Sequence, residues 1–128
     1  MITSNEWLTA WADVPDRIGC DAEVAEMVLG RAETEALLAG KGYLARHGDN
    51  GFPVGFAIVS VRRLHSGDFI NHNLRTVFEQ HGWRREAGTL RRSFTVGQTL
   101  RANELAAQTA AAVLARAGLR VSVSTLID

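Results

Sequence analysis

His65, Asp68, His72 and His81 are the side chains whose types suit a transition metal, and a zinc site needs three or four such groups to converge. Their spacing argues against convergence. On one straight helix His72 and His81 lie nine residues apart, about 180° around the axis, so the two rings point away from each other. Asp68 and His72 share a face at i and i+4, but two donors do not complete a coordination shell, and an exposed pair is the simpler reading. His81 falls on an apolar stripe at a helix end, where a hydrogen-bonded imidazole beside the last carbonyls is expected. Neither a metal nor a cofactor is expected.

Nucleophilic and phosphate chemistry find no firmer footing. Cys20 stands before an acidic helix start with no basic neighbour to activate its thiol. Gly40-Lys41-Gly42 is too short for a phosphate-binding loop, lacks the Gly-Lys-Ser/Thr ending and leads toward a strand pattern. No carboxylate pair is spaced for acid–base work. A non-enzymatic protein is therefore expected, with an enzyme whose site assembles only in space as the last alternative.

The arginine pairs Arg62-Arg63, Arg84-Arg85 and Arg91-Arg92 suggest a nucleic-acid surface. Adjacent residues of a strand point to opposite faces, so each pair offers one side chain per face and makes no continuous stripe. Trp83 and Phe94 could stack bases beside those guanidiniums, yet the glycine-aromatic strand signatures of sheet-based RNA binders are absent. The simpler expectation puts Trp83 and Phe94 in the core, with the arginines edging the sheet or meeting acidic partners. Such partners exist in the chain: residues 1–40 carry eight acidic against two basic side chains, and residues 41–128 carry twelve basic against six acidic. The formal net charge is zero, unlike the strongly basic balance of a duplex-binding protein.

These side chains must be positioned by a single domain, the size expected for 128 residues with 46% hydrophobic and 22% charged composition. One cysteine, no signal-like start and no apolar run near the roughly 20 residues needed to span a bilayer favour a cytoplasmic protein that does not enter the membrane. Residues 1–19 read as an N-terminal helical anchor, capped at Ser4 or Asn5, with Trp7, Leu8 and Trp11 on one side and Pro15 ending it. Asp21 caps a second helix to about Ala39, with Ala25, Val28, Leu29, Ala32 and Ala36 as its apolar stripe and Gly40 and Gly42 as its stop.

The period then changes to two. Residues 42–63 read as a hairpin turning at Asp49-Asn50-Gly51, whose second strand carries apolar residues on both faces and is expected to be central. Helical spacing returns over 68–81, with Ile70, Leu74, Val77, Phe78 and His81 on one face and Gly82 closing it. Residues 83–86 and 90–96 form a second hairpin around Ala87-Gly88. Thr99 caps an alanine-rich helix from about Leu100 to Ala117, closed by Gly118; one side is expected against the sheet and another against a helix of the same chain or of a second protomer. Residues 119–128 read as a terminal strand or tail. The order ααββαββαβ, with strands grouped in hairpins, predicts an α+β domain: an antiparallel sheet of about four to five strands with helices mainly on one face.

The succession of GFPVGFAIVSV, a helix closing on LRTVFEQHGW, a strand carrying Phe94 and an alanine-rich final helix resembles the superfamily of type III secretion chaperones and YbjN-like peptide-binding chaperones. The resemblance covers about residues 20 to 118 in element order, and at the residue level it rests on Leu74, Phe78, Gly82, Trp83 and Phe94. It implies a homodimeric module that binds an extended peptide or protein segment on an apolar surface without a cofactor, with Val59, Val61, Trp83 and Phe94 as the residues to examine. The leading expectation is a chaperone-like or adaptor-like interaction protein. A nucleic-acid-associated regulator or antitoxin using the arginine edges, and a small subunit of a virion or secretion assembly, are the alternatives.

Overall fold

A computed structural model of the chain describes residues 22–49, 53–62, 72–86 and 89–127. Along these the elements are α1 (Ala22–His47), β1 (Gly55–Arg62), α2 (His72–Gln80), β2 (Arg84–Glu86), β3 (Thr89–Phe94), α3 (Leu100–Arg116) and β4 (Arg120–Ile127). The expected N-terminal helix, the Asp21 cap, Cys20, Asn50, Gly51, Arg63, His65, Asp68, Ile70 and the Ala87-Gly88 turn lie outside the described residues.

The alternation read between residues 54 and 61 produces a central strand. The sheet has four strands in the order β2-β3-β1-β4, with every pairing antiparallel. Directly opposed residues share a face, so Ala57↔Phe94 and Val61↔Leu90 on β3, and Val59↔Val123 and Val61↔Val121 on β4, define one apolar layer. Ala57, Val59 and Val61 are fully buried in that layer, whereas Phe56, Ile58 and Ser60 on the other face are only half-buried. β1 is central, as its apolar residues on both faces lead one to expect, and all three described helices lie on one side of it. β3 stops at Phe94 rather than at Val96, because the Val96 N–H leaves the ladder and donates to the Asn103 side-chain oxygen at 2.7 Å.

α3 explains its own composition. Ala102, Ala106, Ala107, Ala110, Ala111 and Ala115 are buried because the helix lies between the sheet and α1. Small side chains allow close approach on two sides at once. The neighbouring helix left open by the sequence is α1 of the same chain, which presents Ala25, Ala32, Ala36 and Gly40 as buried residues.

The expected strand at residues 42–48 is instead the last part of α1, so the first hairpin does not form. Gly40 and Gly42 fail to stop the helix because glycine is compatible with helical φ, and Gly40 serves a contact: a Cβ there would sit 2.5 Å from Val96 Cγ2. The helix stops at Gly48, which adopts φ +79° and donates to the Leu44 carbonyl at 2.7 Å. Arg46 and His47 in the last turn complement the helix dipole. Gly82 and Gly118 act as predicted, at φ +87° and +93°, with Trp83 N–H bonded to Phe78 and Leu119 N–H to Leu114 in the six-residue closure typical of helix ends.

Thr99 stands at the N-cap of α3 without a side-chain capping bond. Asp49, just past the end of α1, instead holds the N-cap residue itself: its carboxylate accepts the backbone N–H groups of Gln98 at 2.9 Å and Thr99 at 3.1 Å, and the Thr99 hydroxyl at 3.1 Å. These bonds, first among them the Thr99 N–H, outweigh desolvation and hold the Asp49 pKa below the usual carboxylate value.

Candidate functional site

A charged cluster lies where α1, the end of α2 and β3 meet. His81 Nδ1 is 2.9 Å from Glu33 Oε2, and His81 Nε2 is 2.8 Å from Glu26 Oε1. Arg92 Nη1 donates to the same Glu33 oxygen at 2.7 Å, and its guanidinium carbon sits 4.5 Å above the centroid of Phe94. Burial alone lowers the His81 pKa. The hydrogen bonds to Glu33 and then Glu26, reinforced by their charges, outweigh that and raise it above the usual histidine value.

A depression of about 380 Å³ opens beside this cluster, with Leu37, Gln80, Thr95 and Val96 on its walls. Its chemistry is already committed. An imidazole bonded at both nitrogens by carboxylates has no free lone pair to take a proton or bind a metal. Glu33 is shared between two cations. The cluster fastens three elements together, and among the described residues no group of three His, Cys, Asp or Glu is arranged for a metal ion. His81 is hydrogen-bonded as expected, but its ring reaches two α1 carboxylates rather than the last helix carbonyls.

The sheet divides the arginines as the pleat requires. Arg92 faces the helices and is held by Glu33, while Arg84 and Arg91 stand directly opposite one another on the other face. Arg91 is opposite Ser60, and Ser60 opposite Ser122, so one row runs Arg84, Arg91, Ser60, Ser122 across the strands. In the next row Arg120 is the register partner of Arg62. Glu86 binds Arg91 at 2.9 Å, whereas Arg84 and Arg120 make no ion pair among the described residues. Arg85 is exposed at the outer edge, in register with Leu90. Phe56 and Leu126 oppose one another at the far end of the same face, so no aromatic ring of the described strands stands beside the arginine rows.

The four residues examined for partner binding occupy the opposite side. Val59 and Val61 are fully buried, Trp83 and Phe94 nearly so. Trp83 packs edge-on against Phe78 at 5.4 Å and Phe94 at 6.1 Å, which makes all three rings parts of the core. They form no exposed surface. Among the described residues the exposed large apolar side chains are Met27, Leu37 and Leu38 on α1, and Leu126 and Ile127 at the end of β4.

β4 is the longer of the two outer strands of the described sheet. It pairs with β1 over all eight of its residues, from Arg120 to Ile127, and its last four, Ser124 to Ile127, are exposed. The other outer strand, β2, has only three residues, all exposed.

No protein-family model, curated protein or solved structure matches the chain. No described helix is long and apolar enough to cross a membrane. Three features escaped sequence reasoning: the Glu26–His81–Glu33 fastening, the hold of Asp49 on Thr99 and the buried Asn103. Only Asn103 left a signal, being a polar residue on the apolar part of an alanine-rich helix.

Proposed function

We propose that the chain is a non-enzymatic protein-interaction module, chaperone-like or adaptor-like, that takes up an extended segment of a partner along the exposed end of β4, Ser124 to Ile127. The carrying observation is that β4 is an outer strand of the described sheet and ends in four exposed residues, Ser124 to Ile127, with the apolar side chains of Leu126 and Ile127 open. Such an edge offers main-chain hydrogen bonds for affinity and alternating side chains for selection. The resemblance to peptide-binding chaperones points to the same class of function. α3 is consumed by packing within the chain, so a homodimer would form elsewhere, and a second copy competes with a client for the β4 edge.

Proline scanning tests the reading. Successive N–H groups of a strand point to opposite edges, so of Ser124→Pro and Thr125→Pro one deletes an outward donor and the other a bond to β1. The outward substitution abolishes capture of an extended peptide while leaving the melting transition nearly in place; unchanged capture in both folded variants would remove the edge from consideration.

A second reading, association with nucleic acid, is favoured by Arg84, Arg91 and Arg120 sharing one sheet face against, among the described strand residues, the one carboxylate of Glu86. It predicts affinity for single strands that falls steeply with added salt.

A further inference from the structure

We infer that the sheet face turned away from the helices docks the chain's own residues 1–21, with Trp7, Leu8 and Trp11 over the apolar end of that face and the carboxylates of Asp13 and Asp16 toward its arginines. The inference goes beyond strand capture at the end of β4, because it concerns a face of side chains rather than backbone groups.

The pleat gives this face two unlike ends. At one, Phe56 opposes Leu126 with Ile58 a row inward; Phe56 and Ile58 are half-buried and Leu126 is 48% exposed. A depression of about 440 Å³ walled by Phe56, Ser93, Thr95 and Gln98 adjoins them. At the other end Arg84 stands opposite Arg91, with Arg120 a row beyond, against the one carboxylate of the described strands, Glu86. Like charges in direct opposition are unfavourable, so this end gains from incoming anions. α1 does not supply them: it lies on the other side of the sheet, where Glu26 and Glu33 bind His81, Glu33 also binds Arg92, and Glu35 binds Arg31. Residues 1–21 carry Glu6, Asp13, Asp16 and Asp21 against the one cation of Arg17, together with the apolar side of the helix expected there. The segment thus matches both ends of the face.

The chain also enters at a suitable place. α1 begins at Ala22, one turn before Glu26, whose carboxylate meets His81 at 2.8 Å, and β2 opens at Arg84, three residues after His81. Residue 21 therefore joins the described fold beside the outer strand β2. Extended, residues 14–21 reach about 26 Å, ample to round that strand when packed layers lie about 10 Å apart. As a helix, residues 5–13 measure about 14 Å, the length of four residues along a strand such as Phe56 to Ser60. A tether of this kind holds the segment at millimolar effective concentration, so a contact with an intrinsic Kd of about 1 mM is already half formed. The same face of a second copy repeats the arginine surplus, and a phosphate backbone matches the cations but not Phe56, Ile58 and Leu126.

The test uses the full ¹⁵N-labelled chain with a nitroxide on Thr9→Cys in a Cys20→Ser background, a position on the side of the expected helix away from the tryptophans. The amide signals of Phe56, Ile58 and Leu126 lose most of their intensity, while those of Met27 and Leu38 on α1 keep theirs. Arg91→Glu with Arg120→Glu, checked for folding by thermal melting, restores the lost intensity. Asp13→Lys with Asp16→Lys restores it equally and leaves every described element untouched. Full intensity at all sites in the parent overturns the inference, as does a loss confined to α1 or a loss that neither charge variant relieves. A loss that appears only in a mixture of spin-labelled ¹⁴N chain and unlabelled-thiol ¹⁵N chain assigns the face to a second copy and overturns it too. None of these outcomes bears on peptide capture at Ser124 to Ile127, which the proline variants read separately.

Discussion

The Asn103 amide donates to the Gly55 carbonyl at 2.8 Å from the middle of α3's first turns, tying that helix to the start of the central strand. It donates again to Gly97 at 2.9 Å, and its oxygen accepts from Val96 at 2.7 Å and Gly97 at 3.3 Å. The residue is fully buried, and every hydrogen-bonding position of its side chain is used. An alanine-rich helix thereby acquires one fixed registration against the sheet and the loop that precedes it.

Asn103→Leu keeps roughly the volume and removes all of these bonds. Two N–H and two C=O groups lose their partner in a dry site, where an unsatisfied group costs about 1–3 kcal/mol. Relaxation recovers part of this, so a loss of about 3 kcal/mol is expected, read as a lower urea midpoint at unchanged slope. Asn103→Asp also destabilises: its carboxylate accepts from Val96 and Gly97 but cannot donate to the Gly55 and Gly97 carbonyls.

Glycines in α1 separate by what surrounds them. At Gly40 an added Cβ would lie 2.5 Å from Val96 Cγ2 and 2.9 Å from Cγ1, whereas at Gly42 the nearest atom is the Arg46 guanidinium at 3.7 Å and at Gly30 nothing comes within 4 Å. Alanine gains about 1 kcal/mol of helix propensity over glycine. Gly30→Ala and Gly42→Ala are thus expected to raise stability by up to that amount. Gly40→Ala opposes the same gain with overpacking of about 1–3 kcal/mol, for a net loss. In a Val96→Ala background the two closest contacts at Gly40 are gone and only the residue-96 Cβ at 3.1 Å remains, so the penalty shrinks, and a double-mutant cycle by urea denaturation measures the coupling.

His81 makes the fold sensitive to alkali near neutrality. Its ring faces Glu26 and Glu33 of α1, and Glu33 is shared with Arg92 of β3. Because the folded pKa is raised above the ordinary 6.5, the stabilisation is fully present below that value and is lost as pH rises through the folded pKa. Deprotonation leaves one ring nitrogen as an acceptor facing a carboxylate. The stability difference between the parent and His81→Gln, followed by melting from pH 5.5 to 8.5, is expected to shrink toward the alkaline end. A constant difference would show that the charge of His81 contributes nothing.

Much of the architecture could be read from side-chain period alone, because a strand with Ala57, Val59 and Val61 on one face and a helix closing at Gly118 depend on nearest neighbours in the chain. Gly40 shows why the reading failed at residues 42–48. A glycine that ends a helix and one that admits a distant Val96 are indistinguishable until the fold brings the two together. The arginines divide similarly: the pleat told that Arg91 and Arg92 must part, but only the placement of α1 reveals which of them meets Glu33. Val59, Val61, Trp83 and Phe94 carry the apolar character that cores and docking surfaces share, and the side of the sheet taken by the helices decides between the two. The Glu26–His81 contact joins residues 55 positions apart and has no local trace.

Asp49 supplies the opposite pH limb. Its carboxylate holds the N-cap residue of α3 from just past the end of α1, and the N–H bonds from Thr99 and Gln98 hold its folded pKa below the unfolded value. The stabilisation is therefore present above the unfolded pKa and is lost as pH falls through the folded one. Asp49→Ala removes these bonds at every neutral pH and flattens the acid limb, whereas Asp49→Asn retains an acceptor oxygen and loses less. Gly97 lies so close that an added Cβ would come within 2.7 Å of the Asp49 carboxylate, so Gly97→Ala should reproduce the Asp49→Ala acid profile without touching the charged group. Melting temperatures from pH 2.5 to 6 distinguish the cases. An acid limb that survives Asp49→Ala unchanged would assign it to other carboxylates.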